Sequence, residues 1–259
     1  MESKKHFVLV HGACHGAWCW YKLATLLRLA GHRVTALDLA ASGVHPKRID
    51  ELGSFADYNQ PLMEFMGSVP PGERVVLVGH SYGGLSLAFA MEAFPEKVSA
   101  GVFVTAVMPG RGYPLSDLGR EFFARHPPES FLDTIFKHDD GPENHLTSTT
   151  FGPEYMSSKM YNLSPPEDFT LATMLVRPTS WFLKDKLDDS MLSERYESVR
   201  RVYVVCEEDF AHMVDYQWWM IQKSSPEEVK VIEGADHMVM MSKPKELCEC
   251  LLNVASKFT

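Results

Sequence analysis

Short apolar runs alternate with helix-favouring segments along most of the chain. The runs, which are rich in β-branched residues and predict buried strands, lie at 7–10, 34–39, 74–78, 98–106, 201–206 and 229–232. Helices are predicted at 18–30, 55–66, 84–92 and 244–258, and around a Trp-Trp pair at 218–219. Strands that alternate with helices predict the α/β class, with a mostly parallel sheet covered by helices on both faces.

The alternation stops between about 109 and 181. This stretch mixes prolines and glycines with aromatic and methionine residues, and it is too long and too apolar for a plain loop. We therefore expect a helical cap inserted between two core strands. Since no repeat, low-complexity tract or linker divides the chain, residues 1–259 are predicted to form a single domain that contains this cap.

The composition is that of a globular enzyme-sized domain. Of 259 residues, 45% are hydrophobic and 23% charged, and 25 basic against 34 acidic residues give a net charge of −9. This charge argues against nucleic acid or an anionic membrane surface as the main partner.

The N-terminus has no apolar signal segment, and no apolar stretch is long enough to cross a membrane. The five cysteines show no zinc-ligand spacing, so we expect reduced thiols, a cytoplasmic location, and no metal or other cofactor.

The sequence Gly79-His80-Ser81-Tyr82-Gly83 directly follows one predicted strand and opens a predicted helix. The five-residue pattern alone occurs by chance in many chains, and its purely structural interpretation is a simple strand–helix turn. In this context, however, Gly-x-Ser-x-Gly is the nucleophile elbow of α/β-hydrolases, which predicts that Ser81 is a nucleophile. His80 should then point away from the hydroxyl and pack behind the turn.

A serine hydroxyl needs a base to take its proton and an acid to orient that base. His237 follows the strand at 229–232 and a turn, which is where such a fold places its histidine, and we predict that it is the base. The other histidines have structural interpretations: His32 caps a helix, while His126, His138 and His145 lie on the cap surface.

For the acid, we favour Asp209, which lies just beyond the strand at 201–206. Asp215 falls in the next helix, and Asp236 adjoins the histidine, where hydrogen-bonding geometry between neighbours is rare. Asp236 is therefore interpreted as a turn residue.

An oxyanion hole needs two backbone N–H donors. One is expected from Tyr82, the residue after the nucleophile, and the other from Ala13 in the loop after the first strand.

Three segments, at 6–18, 31–43 and 234–238, resemble the plant methylesterase and hydroxynitrile lyase family of α/β-hydrolases. The resemblance runs from about residue 6 to the C-terminus and is greatest to the branch of methyl salicylate, methyl jasmonate and polyneuridine aldehyde esterases. It implies a catalytic triad of Ser81, Asp209 and His237, oxyanion donors at Ala13 and Tyr82, a small-molecule ester substrate and a homodimer.

Two positions separate the branches of this family. The lyases carry a threonine where this chain has Gly12, to bind the cyanohydrin hydroxyl, and a lysine where it has Met238, to stabilise cyanide. Neither group is present here, so the resemblance implies a methylesterase rather than a lyase. Gly12 should leave room for the tetrahedral intermediate, and Met238 should offer apolar contact to the substrate.

The substrate-binding residues are predicted to be Gly12 and Met238 together with the cap aromatics Phe122, Phe131, Phe136 and Trp181. Tyr82 and Trp181 stand where related methylesterases have leucine, and the loop at 210–215 also departs from the family. The predicted activity is hydrolysis of methyl esters of small plant metabolites through an acyl-enzyme. The alternatives are hydrolysis followed by decarboxylation of a β-keto or β-aldehydo ester, hydroxynitrile lyase activity, and a non-catalytic ligand-binding homologue.

Overall fold

The computed structural model describes residues 4–110, 115–138, 146–182, 185 and 192–258. Its strands, numbered in chain order, are β1 (His6–Val10), β2 (Arg33–Leu37), β3 (Val75–His80), β4 (Val98–Val104), β5 (Ile135–His138), β6 (Leu146–Thr150), β7 (Arg201–Cys206) and β8 (Glu228–Ile232). In the described part, six of them form one parallel sheet in the order β2-β1-β3-β4-β7-β8. The predicted α/β class and parallel sheet are confirmed.

The helices are α1 (Tyr21–Leu29), α2 (Phe55–Ser68), α3 (Gly83–Ala93), α4 (Leu115–Arg125), α5 (Pro153–Tyr155), α6 (Pro166–Leu175), α7 (Glu194–Ser198), α8 (Val214–Ser224), α9 (Val239–Ser242) and α10 (Pro244–Lys257). Short 3₁₀ turns precede α1 and follow α3, and a π-helical turn at Met156–Met160 follows α5. Within the described residues, none of the helices is both long and apolar enough to span a bilayer.

The sheet separates two hydrophobic cores, as the side-chain alternation along β1 illustrates. Phe7 and Leu9 point into a core shared with α1 and α10, while Val8 and Val10 point into a core shared with α2, α3 and α8. Because strands of this kind are buried on both faces, their sequences are continuous apolar runs.

The cap between β4 and β7 differs from the expected helical insertion. Besides α4, α5 and α6 it contains an antiparallel ribbon, β5–β6, whose second strand pairs further through Thr149 with Thr179. Strand β6 has the sequence Leu-Thr-Ser-Thr-Thr, in which β-branched threonines favour a strand without supplying the apolar signal by which strands are recognised.

The strand register brings the carboxyl ends of the central strands to one edge. Gly79 of β3 lies beside both Val10 of β1 and Phe103 of β4, and Cys206 of β7 lies beside Ile232 of β8. The loops that follow these strands therefore meet in one place, which is where ligands bind in open α/β sheets.

Candidate active site

Ser81 occupies a strained turn between β3 and α3. Its φ of 54° lies in the left-handed region, which costs a non-glycine residue conformational free energy. The serine carbonyl accepts hydrogen bonds from the N–H groups of Val107 at 2.9 Å and Gly84 at 3.1 Å, which hold the turn. A Cβ at Gly83 would lie 2.5 Å from the His11 carbonyl oxygen, so the backbone there leaves room only for glycine. A Cβ at Gly79 would lie 2.5 Å from Cδ1 of Leu87, a side chain that would have to move.

Asp209 and His237 form a buried pair, each 1% exposed. Nδ1–H of His237 donates to Oδ2 of Asp209 at 2.7 Å, and the Thr105 hydroxyl donates to the same oxygen at 2.5 Å. The other oxygen, Oδ1, accepts from the backbone N–H groups of Ala211 and His212. Because the carboxylate holds the proton on Nδ1, Nε2 of His237 is the ring nitrogen left to accept a proton.

The carboxyl group of Asp209 remains ionised despite its burial. Burial alone would raise its pKa, but the charge of His237 and the hydrogen bonds from His237 and Thr105 outweigh burial and lower the pKa. An ionised carboxylate at this position stabilises an imidazolium when His237 takes up a proton.

His80 fixes the loop that carries His237. Its Nε2–H donates to the His237 carbonyl at 2.8 Å, and the two imidazole rings lie 4.6 Å apart. The ring thus packs behind the turn, as the sequence predicted. Ser81 and His237 line the same cavity, and this bond holds the histidine loop at that wall.

Ala13 and Tyr82, whose backbone N–H groups are the predicted oxyanion donors, line the cavity beside Ser81. Among the described residues, neither N–H donates to a protein acceptor. The loop that carries Ala13 is held by His11, whose Nδ1–H donates to the Gly12 carbonyl at 2.8 Å and whose Nε2 accepts from the Leu39 N–H at 3.1 Å. Two unpaired donors at this place can bind a developing oxyanion.

The other two aspartates considered from the sequence lie outside this arrangement. Asp215, at the start of α8, is exposed and pairs with Arg125. Asp236 is fully buried and accepts hydrogen bonds from Leu163, Ser164 and Ser242, which join the histidine loop to the cap.

An aromatic cavity of about 400 Å³ opens beside Ser81. Four residues predicted to bind substrate line it: Phe122, Phe131, Phe136 and Trp181. It also contains aromatic and histidine residues that the sequence did not assign to the site: Phe151, Tyr155, Phe182, His212 and Tyr216. The loop at 210–215 departs from the family in sequence, and this departure is the signal that the sequence offers for His212.

Gly12 and Met238, which were also predicted to contact substrate, are not among the residues that line this cavity. Met238 is fully enclosed in the hydrophobic core, and its N–H donates to the Met160 carbonyl. A Cβ at Gly12 would lie 2.7 Å from Cβ of Ser81, so the backbone of Gly12 lies against the Ser81 side chain.

Several of the remaining histidines are placed differently from expectation. His126 was expected on the surface but is 5% exposed and stacks on Phe122 at 4.2 Å, because α4 turns it inward. His138 is half-buried on β5. His32 caps α1 as predicted, since its N–H donates to the Leu27 carbonyl at 3.1 Å, and its Nδ1 accepts from the Lys5 N–H. His145 lies outside the described residues. Within the described ranges, no three His, Cys, Asp or Glu side chains are grouped as ligands of a metal ion.

Comparisons with known proteins agree with this architecture. A family model described as the alpha/beta hydrolase family matches residues 7–249. Methyl jasmonate esterase 1 of Vitis vinifera is 52% identical over 260 residues, which cover 100% of this chain and 99% of that protein. Polyneuridine aldehyde esterase of Rauvolfia serpentina is 47% identical, over 98% of this chain and 97% of its own.

Solved structures give the same result. A crystal structure of polyneuridine aldehyde esterase superimposes with a TM-score of 0.93 at 47% identity, over 98% of this chain and 100% of that one. Tomato methylketone synthase I complexed with 2-tridecanone superimposes with a TM-score of 0.92 at 45% identity, over 99% and 100%. The chain therefore belongs to the alpha/beta hydrolase family, in its plant methylesterase branch.

Proposed function

We propose that this chain is a serine carboxylesterase that hydrolyses methyl esters of small plant metabolites. The observation that carries the proposal is the 2.7 Å hydrogen bond from His237 to a buried Asp209, beside the strained Ser81 at the wall of an aromatic cavity. Homology to methyl jasmonate esterase 1 and to polyneuridine aldehyde esterase supports the ester class.

In the acylation step, Oγ of Ser81 attacks the ester carbonyl carbon while Nε2 of His237 takes the hydroxyl proton. The carbonyl π electrons move to the oxygen, and the N–H groups of Ala13 and Tyr82 bind the resulting oxyanion. Asp209 keeps the proton on Nδ1 and stabilises the imidazolium. When the carbonyl re-forms, the C–O bond to the methoxy group breaks, and His237 gives its proton to the leaving methoxide, which departs as methanol.

Water completes the cycle by the same route. His237 takes a proton from a water molecule that attacks the acyl carbon, the oxyanion forms in the same hole, and Ser81 leaves with the proton from Nε2. The product acid is released. In this proposal the aromatic side chains Phe122, Phe131, Phe136 and Trp181 pack against the acid part of the ester.

A second candidate is hydrolysis of a β-keto or β-aldehydo ester followed by decarboxylation. The specific observation in its favour is the structural similarity to methylketone synthase I in complex with a ketone. In the released β-keto acid, the carboxyl proton passes to the keto oxygen while the bond between the carboxyl carbon and the α carbon breaks, which gives carbon dioxide and an enol. The enol then gains a proton at the α carbon and loses its hydroxyl proton to solvent, which gives the ketone. Mass analysis of the products separates the candidates, since only this route releases carbon dioxide with the methanol.

The decisive experiment is incubation with a panel of methyl esters, with methanol release as the readout. We expect turnover by the native protein, and for Ser81→Ala a loss of about 10⁴-fold or more in kcat with an unchanged unfolding temperature. A serine-directed phosphonate should label Ser81 of the native protein alone.

Near-normal turnover by Ser81→Ala, or labelling of another residue, would contradict the assignment of the nucleophile. Cyanide release from mandelonitrile at a rate comparable to ester hydrolysis would favour the lyase alternative. Binding of esters without any product would favour the non-catalytic homologue.

The remaining expectations concern the setting of the enzyme. We propose a homodimer that acts in the cytoplasm, in plant specialised metabolism. The family resemblance supports the dimer, and five cysteines without disulfides fit a reducing compartment. Light scattering after gel filtration tests the dimer, and fractionation of plant tissue tests the location.

A further inference from the structure

His212 is a second histidine at the cavity wall, and the proposed reaction does not use it. It lines the cavity together with Ser81 and His237, and its ring lies 5.2 Å from the His237 ring at an interplanar angle of 73°. Proton transfer is already assigned to His237. A polar side chain this close to the reacting groups, in a largely apolar cavity, can instead select the substrate.

The tautomer of His212 follows from its hydrogen bond to Thr105. Nδ1 lies 3.0 Å from the Thr105 carbonyl oxygen, which can only accept, so Nδ1 carries the proton and donates it. Burial, with the charge of His237 as the second cause, lowers the pKa of His212 to about 3. At neutral pH the ring is therefore uncharged, and Nε2 presents a lone pair.

The protein holds this ring in place through its backbone and its neighbours. The His212 N–H donates to Oδ1 of Asp209 at 2.7 Å, and its carbonyl accepts from the side-chain amide of Gln217 at 2.7 Å. The rings of Phe122 and Tyr216 pack edge-on against it at 5.7 and 5.6 Å. The position of Nε2 is thus fixed before any ligand binds, which reduces the entropy lost on forming a hydrogen bond there.

Nε2 of His212 has no donor among the described residues, yet it is not enclosed by protein. In this it differs from Nε2 of His126, which is buried without a partner. A ligand that fills the cavity with apolar surface alone would strip water from Nε2 and leave this acceptor unpaired, at a cost in binding free energy. A ligand with a donor at this point avoids that cost.

Building on the proposed esterase function, we infer that His212 determines specificity by accepting, at Nε2, a hydrogen bond from a hydroxyl or N–H group on the acid part of the ester. The donor lies near the ester carbonyl, because the rings of His212 and His237 are only 5.2 Å apart. The aromatic walls favour an aromatic acid. The substrate class is thus aromatic methyl esters with a hydroxyl or N–H donor, rather than esters whose acid part offers only carbonyl acceptors.

The test compares methyl phenylacetate with its 2-, 3- and 4-hydroxy derivatives, which differ only in the presence and position of one donor. For the native enzyme, we expect kcat/KM for at least one hydroxy isomer to exceed that of methyl phenylacetate by about tenfold, the usual effect of one hydrogen bond in a desolvated site. The methoxy derivative of the preferred isomer, which has no donor, should lose this advantage.

Two variants assign the effect to Nε2. In His212→Asn, the side-chain amide can still donate to the Thr105 carbonyl but carries no acceptor at the position of Nε2, so the preference for the hydroxy ester should disappear. In His212→Gln, the longer side chain can place its amide oxygen near that position and should retain most of the preference. A loss of packing alone would change kcat/KM for the hydroxy ester and for methyl phenylacetate by the same factor, so the ratio of the two values would stay the same.

Equal kcat/KM values for all four esters with the native enzyme would overturn the inference, as would an unchanged preference in His212→Asn. If that variant does not fold, competitive inhibition of the native enzyme by phenylacetate and the hydroxyphenylacetates supplies the same comparison, and equal inhibition constants would overturn the inference. Turnover of methyl phenylacetate by the native protein but not by Ser81→Ala upholds the esterase function whichever result is obtained for His212.

Discussion

Gly12 is a position at which a single added methyl group would contact Ser81. A Cβ there would lie 2.7 Å from Cβ of Ser81 and 3.2 Å from Nδ1 of His80. A threonine at this position, which the resemblance associates with lyases, would displace the serine unless the surrounding turn also moved. A lysine at Met238, which is fully buried, would place an ammonium group in the hydrophobic core. We therefore expect exchange of these two residues to lower esterase activity.

A pair of aspartates tests the assignment of the acid residue. In Asp209→Asn the carboxylate that holds the proton on Nδ1 of His237 is lost, so we expect kcat to fall by about 10⁴-fold. Asp215→Asn is the matched control, because this side chain is exposed and pairs with Arg125 on the surface, so its substitution should lower kcat by less than about threefold. Steady-state kinetics on any accepted methyl ester measures both, and an inactive Asp215 variant with an active Asp209 variant would contradict the assignment.

At the scale of elements, one glutamine joins three parts of the site. The side chain of Gln217, fully buried on α8, accepts from the Cys206 N–H at 3.0 Å and donates to the carbonyl groups of Cys206 and His212 at 2.9 and 2.7 Å. It thereby ties the end of β7 to α8 and to the loop that carries Asp209. No simple sequence signal marks this role, since a single Gln in a helix resembles any surface residue.

We expect Gln217→Ala to lower the free energy of unfolding by about 3 kcal/mol, because three hydrogen bonds are lost and the buried backbone groups of Cys206 and His212 are left unpaired. The loop that carries Asp209 should also loosen, so kcat should fall. Gln222→Ala, an exposed position on the same helix, should change stability by less than about 0.5 kcal/mol. Denaturant unfolding measures the free energy of unfolding of the two variants, and an equal decrease in both would contradict the role of Gln217.

The strands of the sheet could be predicted because strands buried on both faces are continuous apolar runs in the local sequence. The run Arg201–Cys206 is a strand with the predicted bounds, and the turn after β3 identified Ser81 through its two glycines. The ribbon of the cap could not be predicted, since β6 is polar and pairs with a segment that the sequence does not specify. His212 was missed for a related reason: its role depends on contacts with Thr105 and Phe122, which are distant along the chain.

Across the whole molecule, the histidines make folding sensitive to acid. Burial is the largest cause of a lowered pKa at six of them: His6, His11, His15, His80, His126 and His212. Each binds protons more weakly when folded than when unfolded, where the ordinary pKa is 6.5. Their contribution to stability is therefore complete above pH 6.5 and is lost as the pH falls below it. The lowered pKa of Asp209 acts in the same direction but only below its ordinary value of 3.8.

The slope of this loss can be predicted from the two histidines whose pKa falls to about 3, His15 and His212. Near pH 5 both are protonated in the unfolded chain and neutral in the folded protein, so together they lower the free energy of unfolding by about 2.7 kcal/mol per pH unit. The four other histidines can only steepen the curve. Since a domain of this kind has about 5–15 kcal/mol of stability, we expect unfolding between about pH 5 and 3.5, as measured by denaturant titrations at half-unit intervals below pH 7.5.

His212→Gln should reduce the slope near pH 5 by about 1.4 kcal/mol per pH unit, because one proton fewer is taken up on unfolding. Gln222→Ala provides the control, since this exposed position carries no titratable group and its substitution should leave the slope as it is in the native protein. A free energy of unfolding that stays constant from pH 6.5 to 4.5 would mean that these imidazoles become protonated within the folded protein. His212 packs against Phe122 and Tyr216, and its role at the cavity wall depends on this packing. These contacts would then have to accommodate a protonated His212 ring.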